Sequence, residues 1–106
     1  MKLLFICNQN KNRSKTAEDV LKDKFETKSG GLYNEKPITE KELLWADIIF
    51  VMEDEQRKEL SIRFPKIYLK KRIISLNIPD KYYYMQLELI KLLKNNMQEL
   101  FEPFIE

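Results

Sequence analysis

The sequence predicts an α/β fold: a three-layer αβα domain on a four-stranded parallel sheet, formed by residues 1–106 as a single domain. Two apolar runs, residues 3–6 and 48–52, show no polar alternation, which is typical of strands buried on both faces of a parallel sheet. Segments with helical periodicity separate the predicted strands, and this alternation favours a parallel sheet with right-handed crossovers. A chain of 106 residues suits one domain with a modest core.

The first half of the chain predicts two helices and a short edge strand. Apolar residues recur at helical spacing over residues 14–24, which predicts the first helix. Within residues 25–31, residues 26–29 are polar and are followed by the two glycines of the chain, which predicts an edge strand and a tight turn. Thr39 precedes Glu42 by three residues, the spacing of a capping box, and should begin a second helix that ends near residue 47.

The second half predicts two more strands, each followed by a helix. The run at residues 48–52 is apolar and rich in β-branched residues, so it should be a central strand. A helix over residues 53–64 should stop before the proline that follows, and the basic residues 66–72 suggest a solvated connection. Residues 72–76 should form the fourth strand, and residues 86–101 the last helix. The apolar face of that helix comprises Leu89, Ile90, Leu93, Met97, Leu100 and Phe101.

A polar loop, residues 8–12, separates Cys7 from Arg13 and Ser14 at the start of the first helix. The first N–H groups of a helix have no intrahelical partner, and the helix dipole adds positive charge, so this junction is typical of a phosphate site. The same field stabilises a thiolate, which makes Cys7 a candidate nucleophile. Arg13 carries a planar cationic fork that matches phosphate oxygens, and Ser14 is placed to donate a hydrogen bond to the sulfur.

Asp80 follows the predicted fourth strand in the same way that Cys7 follows the first. In open α/β sheets, ligands bind outside the carboxyl ends of the strands, so both residues should lie on one rim. Each residue also has an ordinary alternative role. Cys7 would be a small buried hydrophobe, Arg13 a solvated helix residue and Asp80 a turn residue after a proline.

Residues 7–14, CNQNKNRS, resemble the phosphate-binding loop of cysteine-dependent phosphatases, which has the pattern C-x5-R-[ST]. The position of the loop, directly after the first strand, is similar to that in the low-molecular-weight protein tyrosine phosphatase family. Three later segments are similar to the same family in the same order. SGGL at 29–32 resembles its Ser-Ala-Gly segment, WADIIFVMED at 45–54 its third strand and Met-Asp, and IPDKYYY at 78–84 its Asp-Pro-Tyr-Tyr acid loop.

The resemblance implies a cysteine-dependent phosphomonoester hydrolase, and within that class a protein-tyrosine phosphatase that forms a phosphocysteine and needs no metal or cofactor. Cys7 would be the nucleophile, Arg13 the phosphate clamp, and Asp80 the general acid and then base. The substrate would be a phosphorylated protein or a small phosphomonoester, and a phosphate or sulfate ion would bind in the loop. The residues expected to bind substrate are Asn8, Gln9, Asn10, Lys11, Asn12, Ser14, Tyr82 and Tyr83.

Three further roles follow from the resemblance alone. Ser29 would support the loop through a hydrogen bond to Asn10, Tyr33 would border the site, and Glu53 would lie close to it. A turn serine, an exposed loop tyrosine and an acidic residue at a helix start are the ordinary alternatives. For the two substrate-binding tyrosines, the alternative is packing in the core or on the surface.

The loop departs from the family pattern in ways that bear on catalysis. Gln9 stands where the family usually has a glycine, so some strain in the loop is expected. Asn12 stands where the family often has a second cysteine, so no vicinal disulfide can protect Cys7, and over-oxidation should be irreversible. Lys15 and Lys81 stand where the family has prolines, and the chain is short for the family.

Composition narrows the function classes. The absence of histidine excludes a Cys-His dyad and a histidine-containing metal site, and a single cysteine excludes an internal disulfide. A formal net charge of +2, with 34 % charged residues, gives no argument for a nucleic-acid or membrane partner. The cysteine usage and the short apolar run at the N-terminus lead us to expect a soluble, cytoplasmic protein.

Alternatives to turnover remain open at this point. The leading one is a catalytically weak module that binds phosphorylated partners through the same loop. Arsenate reduction would need an external thiol, because the chain has no second cysteine to resolve the adduct. A phosphocysteine-carrying transport subunit is disfavoured by the Arg13 clamp, and a purely structural domain would leave Cys7 an ordinary thiol.

Overall fold

In the computed structural model, which describes residues 1–105 and the side chains of residues 1–98, four parallel strands form a sheet in the order β2-β1-β3-β4. The two unbroken apolar runs of the sequence occupy the two central positions, β1 and β3. The α/β prediction with a four-stranded parallel sheet is therefore confirmed. The strands are β1 (Lys2–Cys7), β2 (Glu26–Gly31), β3 (Ile48–Val51) and β4 (Arg72–Ser75).

Helices follow the strands and cover both faces of the sheet, so the three-layer prediction is also confirmed. One core contains residues of α1 and α5, and the other contains residues of α2, α3 and α4. No helix of the described chain is both long and apolar enough to cross a membrane. The helices are α1 (Arg13–Leu21), α2 (Glu40–Trp45), α3 (Asp54–Arg63), α4 (Pro65–Lys70) and α5 (Leu87–Ile105).

The central strands are buried on both faces, which explains their unbroken apolar sequence. Alternate side chains of a strand point to opposite faces, so Phe5 lies in the first core and Leu4 in the second. Phe5 stacks on Phe50 of β3, with ring centroids 5.3 Å apart. The first core includes Leu3, Phe5, Ile48, Phe50, Leu89, Leu93 and Met97. The second includes Leu4, Ile6, Leu43, Ile49, Val51, Leu60 and Ile67.

One predicted element is wrong: the basic stretch after α3 is largely helical and is not a solvated connection. Pro65 is the first residue of α4, a position that its fixed φ and missing N–H suit well. Phe64, with φ −134° and ψ 62°, separates α4 from α3. Ile67 is buried against the second core, and Lys66 and Lys70 are exposed. The first helix also ends earlier than predicted, at Leu21, and the predicted apolar positions Leu100 and Phe101 lie outside the described side chains.

The predicted capping box at the start of α2 is confirmed. The N–H of Glu42 donates to Thr39 Oγ1 at 3.4 Å, and the N–H of Thr39 donates to Glu42 Oε1 at 3.1 Å. We expect Thr39→Ala to lower the free energy of unfolding by about 1 kcal/mol, because the backbone N–H of Glu42 loses its side-chain acceptor. Thr39→Ser should retain most of the stability of the wild type, because serine also carries a hydroxyl acceptor. Urea unfolding of the three proteins checks this, and equal midpoints would contradict it.

Candidate active site

The loop between β1 and α1 curls back around the sulfur of Cys7. The backbone N–H of Asn10 donates to Cys7 Sγ at 3.2 Å. Asn10 has φ 54°, a left-handed conformation that asparagine tolerates better than other non-glycine residues. Gln9, by contrast, is not among the described residues with positive φ, so the strain expected there is absent. Asn10 is therefore the loop residue that adopts the left-handed backbone conformation needed for the loop to close.

A hydroxyl group stands beside the sulfur. Ser14 Oγ lies 2.9 Å from Cys7 Sγ and 2.8 Å from Asn10 Oδ1, and all three residues are at least partly buried. A serine has one O–H to donate, so it donates either to the amide oxygen or to the sulfur. When the sulfur is a thiolate, donation to the sulfur is favoured, because hydrogen bonds to ionised acceptors are the stronger ones. The contact predicted between Ser14 and Cys7 is present.

Arg13 is buried and held from two sides. It is 2 % exposed, and its Nη1 donates to Glu53 Oε1 at 2.5 Å and to the carbonyl oxygen of Ile78 at 2.7 Å. Its Nε lies 3.8 Å from Oδ1 of Asp80, a carboxylate that is 64 % exposed. Glu53 follows β3 and Ile78 follows β4, so residues beyond the carboxyl ends of two strands orient the guanidinium that begins α1.

The family resemblance suggested that Glu53 lies near the site but did not identify it as the ion partner of Arg13. The signal available was the acidic run directly after the central strand, on the rim where Cys7 and Asp80 were expected. A helix start explains acidic residues equally well, so that signal could not separate the two roles.

A cavity of about 200 Å³ opens at this junction. A volume of this size admits a group considerably larger than one water molecule, such as a phosphate. Its lining brings together a thiol, two cationic side chains, a carboxylate and two amides. The lining residues are Cys7, Gln9, Lys11, Asn12, Arg13 and Asp80.

Asn8, the remaining predicted loop residue, connects the loop to neighbouring segments. The Asn8 side chain accepts a hydrogen bond from Gln56, and the Asn8 carbonyl accepts one from the N–H of Tyr33 at 2.8 Å. Tyr33 borders the loop in this way through its backbone, while its ring is exposed and lies 5.0 Å from the Arg63 guanidinium.

The tyrosines after Asp80 lie outside the cavity lining. Tyr82 is half-buried and packs against the first core, and Tyr83 is exposed. The hydroxyl of Tyr84 donates to the carboxylate of Asp19 on α1, and this hydrogen bond raises the pKa of Tyr84. The N–H of Met85 donates to a hydroxyl of the same helix, so the segment that follows the candidate acid is attached to α1.

The expected contact between Ser29 and Asn10 is wrong. Ser29 pairs with Phe5 in the sheet, two residues before the nucleophile, and is therefore too far back along β2 to reach the loop. Its hydroxyl donates to Glu18 at 2.5 Å. Glu18 also binds Lys15 at 3.0 Å, and this hydrogen bond raises the pKa of Lys15. Among the side chains described, no group of three histidine, cysteine or acidic residues is arranged to hold a metal ion.

Comparison with solved structures identifies the fold. The chain is similar to the low-molecular-weight protein tyrosine phosphatase SP-PTP of Streptococcus pyogenes, with TM-score 0.79, 19 % identity, and 99 % of this chain and 93 % of that chain covered. It is similar to the tyrosine phosphatase Wzb of Escherichia coli K30, solved with phosphate, with TM-score 0.76, 18 % identity, and 96 % of each chain covered. It is also similar to the YwlE arginine phosphatase of Geobacillus stearothermophilus, with TM-score 0.73, 18 % identity, and 96 % and 93 % covered.

These likenesses show that the chain has the fold of the low-molecular-weight protein tyrosine phosphatases, as the sequence resemblance implied. No protein-family model matches the sequence, and no curated protein matches it.

A methyl group at the end of β2 should disturb the loop. An added Cβ at Gly31 would lie 2.9 Å from the Asn8 carbonyl oxygen and 2.6 Å from Asn34 Oδ1. At Gly30 it would meet the tip of the Ile38 side chain, which can rotate away. Because small displacements in a binding loop are costly, we expect Gly31→Ala to weaken inorganic phosphate binding by roughly tenfold or more.

Gly30→Ala serves as the matched control and should bind phosphate nearly as the wild type does. Calorimetric titration of both variants with inorganic phosphate makes the comparison. Equal affinities for Gly31→Ala and Gly30→Ala would show that the contact between β2 and Asn8 does not govern the loop.

Proposed function

We propose that this protein is a phosphomonoester hydrolase that uses Cys7 as its nucleophile. The observation that carries the proposal is that Cys7, Arg13 and Asp80 line one cavity at the start of α1. The fold, shared with known phosphatases, supports it. The N–H groups of a first helical turn have no intrahelical partner, and together with the helix dipole they favour an anion at this position. A candidate nucleophile and a candidate proton donor border the same space.

In the first step, the phosphate of the substrate binds to the loop amides and to Arg13. The Cys7 thiolate attacks phosphorus, the P–S bond forms, and the bond to the leaving oxygen breaks. Asp80, in its protonated form, gives its proton to that oxygen. Charge develops on the equatorial phosphate oxygens, and donors already held in place stabilise it without further reorganisation.

In the second step, the phosphocysteine is hydrolysed. Asp80, now a carboxylate, takes a proton from water, whose oxygen attacks phosphorus as the P–S bond breaks. The sulfur departs as a thiolate, and Ser14, 2.9 Å away, is placed to donate a hydrogen bond to it. Inorganic phosphate then leaves and the starting protonation states are restored.

Glu53 has a supporting role in this scheme. Its carboxylate occupies Nη1 of Arg13, which leaves the Nε side of the guanidinium toward Asp80 and the cavity. This ion pair fixes the orientation of the Arg13 guanidinium and reduces the net positive charge of the site. Lys11, which also lines the cavity, supplies a second cation there.

The proposed substrate is a phosphorylated protein or a small phosphomonoester, with tyrosine phosphate as the first candidate because of the family resemblance. The proposed location is the cytoplasm, where a free thiol stays reduced. Neither nucleic acid nor a membrane is part of the proposal. Catalysis by this route uses only groups of this chain and water.

Hydrolysis of para-nitrophenyl phosphate tests the assignment of roles. We expect Cys7→Ser and Arg13→Ala to abolish turnover, and Asp80→Asn to lower kcat by about 10²–10⁴-fold, because a positioned acid contributes that much. Asp54→Asn, which removes a carboxylate from a neighbouring cavity, is the control and should stay near wild type.

Two outcomes would count against this proposal. Turnover by Cys7→Ser equal to that of the wild type would show that Cys7 is not the nucleophile. A wild type that binds phosphate but hydrolyses nothing would favour the alternative of a phosphate-binding module.

Peptides carrying phosphotyrosine or phosphoarginine test the substrate class, since fold relatives of both kinds exist. We expect the phosphotyrosine peptide to have the higher kcat/KM, because the Lys11 ammonium lines the cavity and repels a cationic guanidinium. Lys11→Gln should reduce that preference by roughly fivefold, the effect of about 1 kcal/mol of Coulomb energy at a solvated site. A preference for phosphoarginine in the wild type would reverse the assignment.

A further inference from the structure

Gln56 is a buried polar side chain in the first turn of α3, and all its contacts lead to the candidate site. It is 2 % exposed. Its Oε1 accepts the backbone N–H groups of Met52 at 2.7 Å and Glu53 at 3.1 Å. Its Nε2 donates to Asn8 Oδ1 at 3.1 Å, across 48 residues of sequence. One amide therefore joins the end of β3 to the loop that follows β1.

Gln56 is connected to both ends of the phosphate loop, which comprises residues 8–12. Asn8 is the first loop residue after the nucleophile. Glu53, whose backbone Gln56 holds, forms the ion pair with Arg13 at the other end of the loop. Gln56 thus fixes the start of the loop directly and its end through Glu53.

The contacts require a glutamine in particular. An amide oxygen can accept two N–H groups while the amide nitrogen donates to a third partner. A leucine of similar size would leave two backbone donors without this acceptor, and a buried donor without a partner is costly. An alanine would remove the same contacts and leave a cavity.

We propose that Gln56 is a positioning residue of the phosphate loop, acting through Asn8 and Glu53 without touching the phosphate. This inference rests on the proposed function, because it names what holds the proposed phosphate site in shape. It predicts that loss of the link lowers both phosphate affinity and kcat, since the loop amides and Arg13 would no longer converge on one point.

A double-mutant cycle on Gln56→Leu and Asn8→Ala tests the link, with inorganic phosphate binding and para-nitrophenyl phosphate turnover as readouts. Each single variant should weaken phosphate binding by roughly tenfold, about what one buried hydrogen bond contributes. The double variant should be little worse than Gln56→Leu alone. Additive losses, or wild-type phosphate affinity in Gln56→Leu, would overturn the proposal.

Asn8→Ala keeps the acceptor for Met52 and Glu53, so it tests the link even if Gln56→Leu does not fold. Lys71→Met is the matched stability control. It removes hydrogen bonds to the carbonyls of Leu44 at 2.9 Å and Ala46 at 2.5 Å. These contacts lie at the N-terminal ends of β3 and β4, whereas the candidate site lies at their carboxyl ends. It should lower the unfolding midpoint and leave phosphate affinity unchanged.

Phosphate binding and ester hydrolysis by the wild type distinguish failure of this proposal from failure of the proposed function. A wild type that neither binds phosphate nor hydrolyses the ester overturns both. A wild type that does either, together with Gln56→Leu and Asn8→Ala variants that match it, overturns the positioning role alone.

Discussion

The buried guanidinium of Arg13 is the constraint on which the rest of the site depends. Arginine keeps its charge in a protein, so burial is tolerated only where partners compensate the lost hydration. Glu53 and the carbonyl of Ile78 provide that compensation. Loss of these partners would leave a buried charge without compensation, which is strongly destabilising. The first turn of α1 and the segments that follow β3 and β4 are therefore held together at one point.

That constraint also determines which donors remain for an anion. One nitrogen of the guanidinium is committed to the protein, and its Nε side faces Asp80 and the cavity. Because Glu53 offsets part of the charge, the proposed phosphate would be held by the loop amides and Lys11 as well as by Arg13. The loop holds these groups without a glycine, since only Asn10 within it has a positive φ.

Much of the fold could be predicted because its signals are local. An unbroken apolar run indicates a strand buried on both faces, and the spacing of Thr39 and Glu42 indicates a helix start. The rule that ligands bind at strand ends placed Cys7 and Asp80 on one rim. The helix α4 was missed because a basic run reports exposure and not backbone conformation, while Pro65 at its start is equally consistent with a helix stop.

By itself, the sequence determined the layer order of the fold and the loop in which Cys7, Asn10 and Ser14 meet, because those residues are within one loop and one helical turn of each other. The tertiary structure alone decided that Glu53 holds Arg13 and that Gln56 reaches Asn8. It also directed Ser29 to α1 and the tyrosines away from the cavity. The physical reason is that these contacts join different helices, strands and loops. Their distances depend on sheet order and register, which a pattern along one segment does not encode.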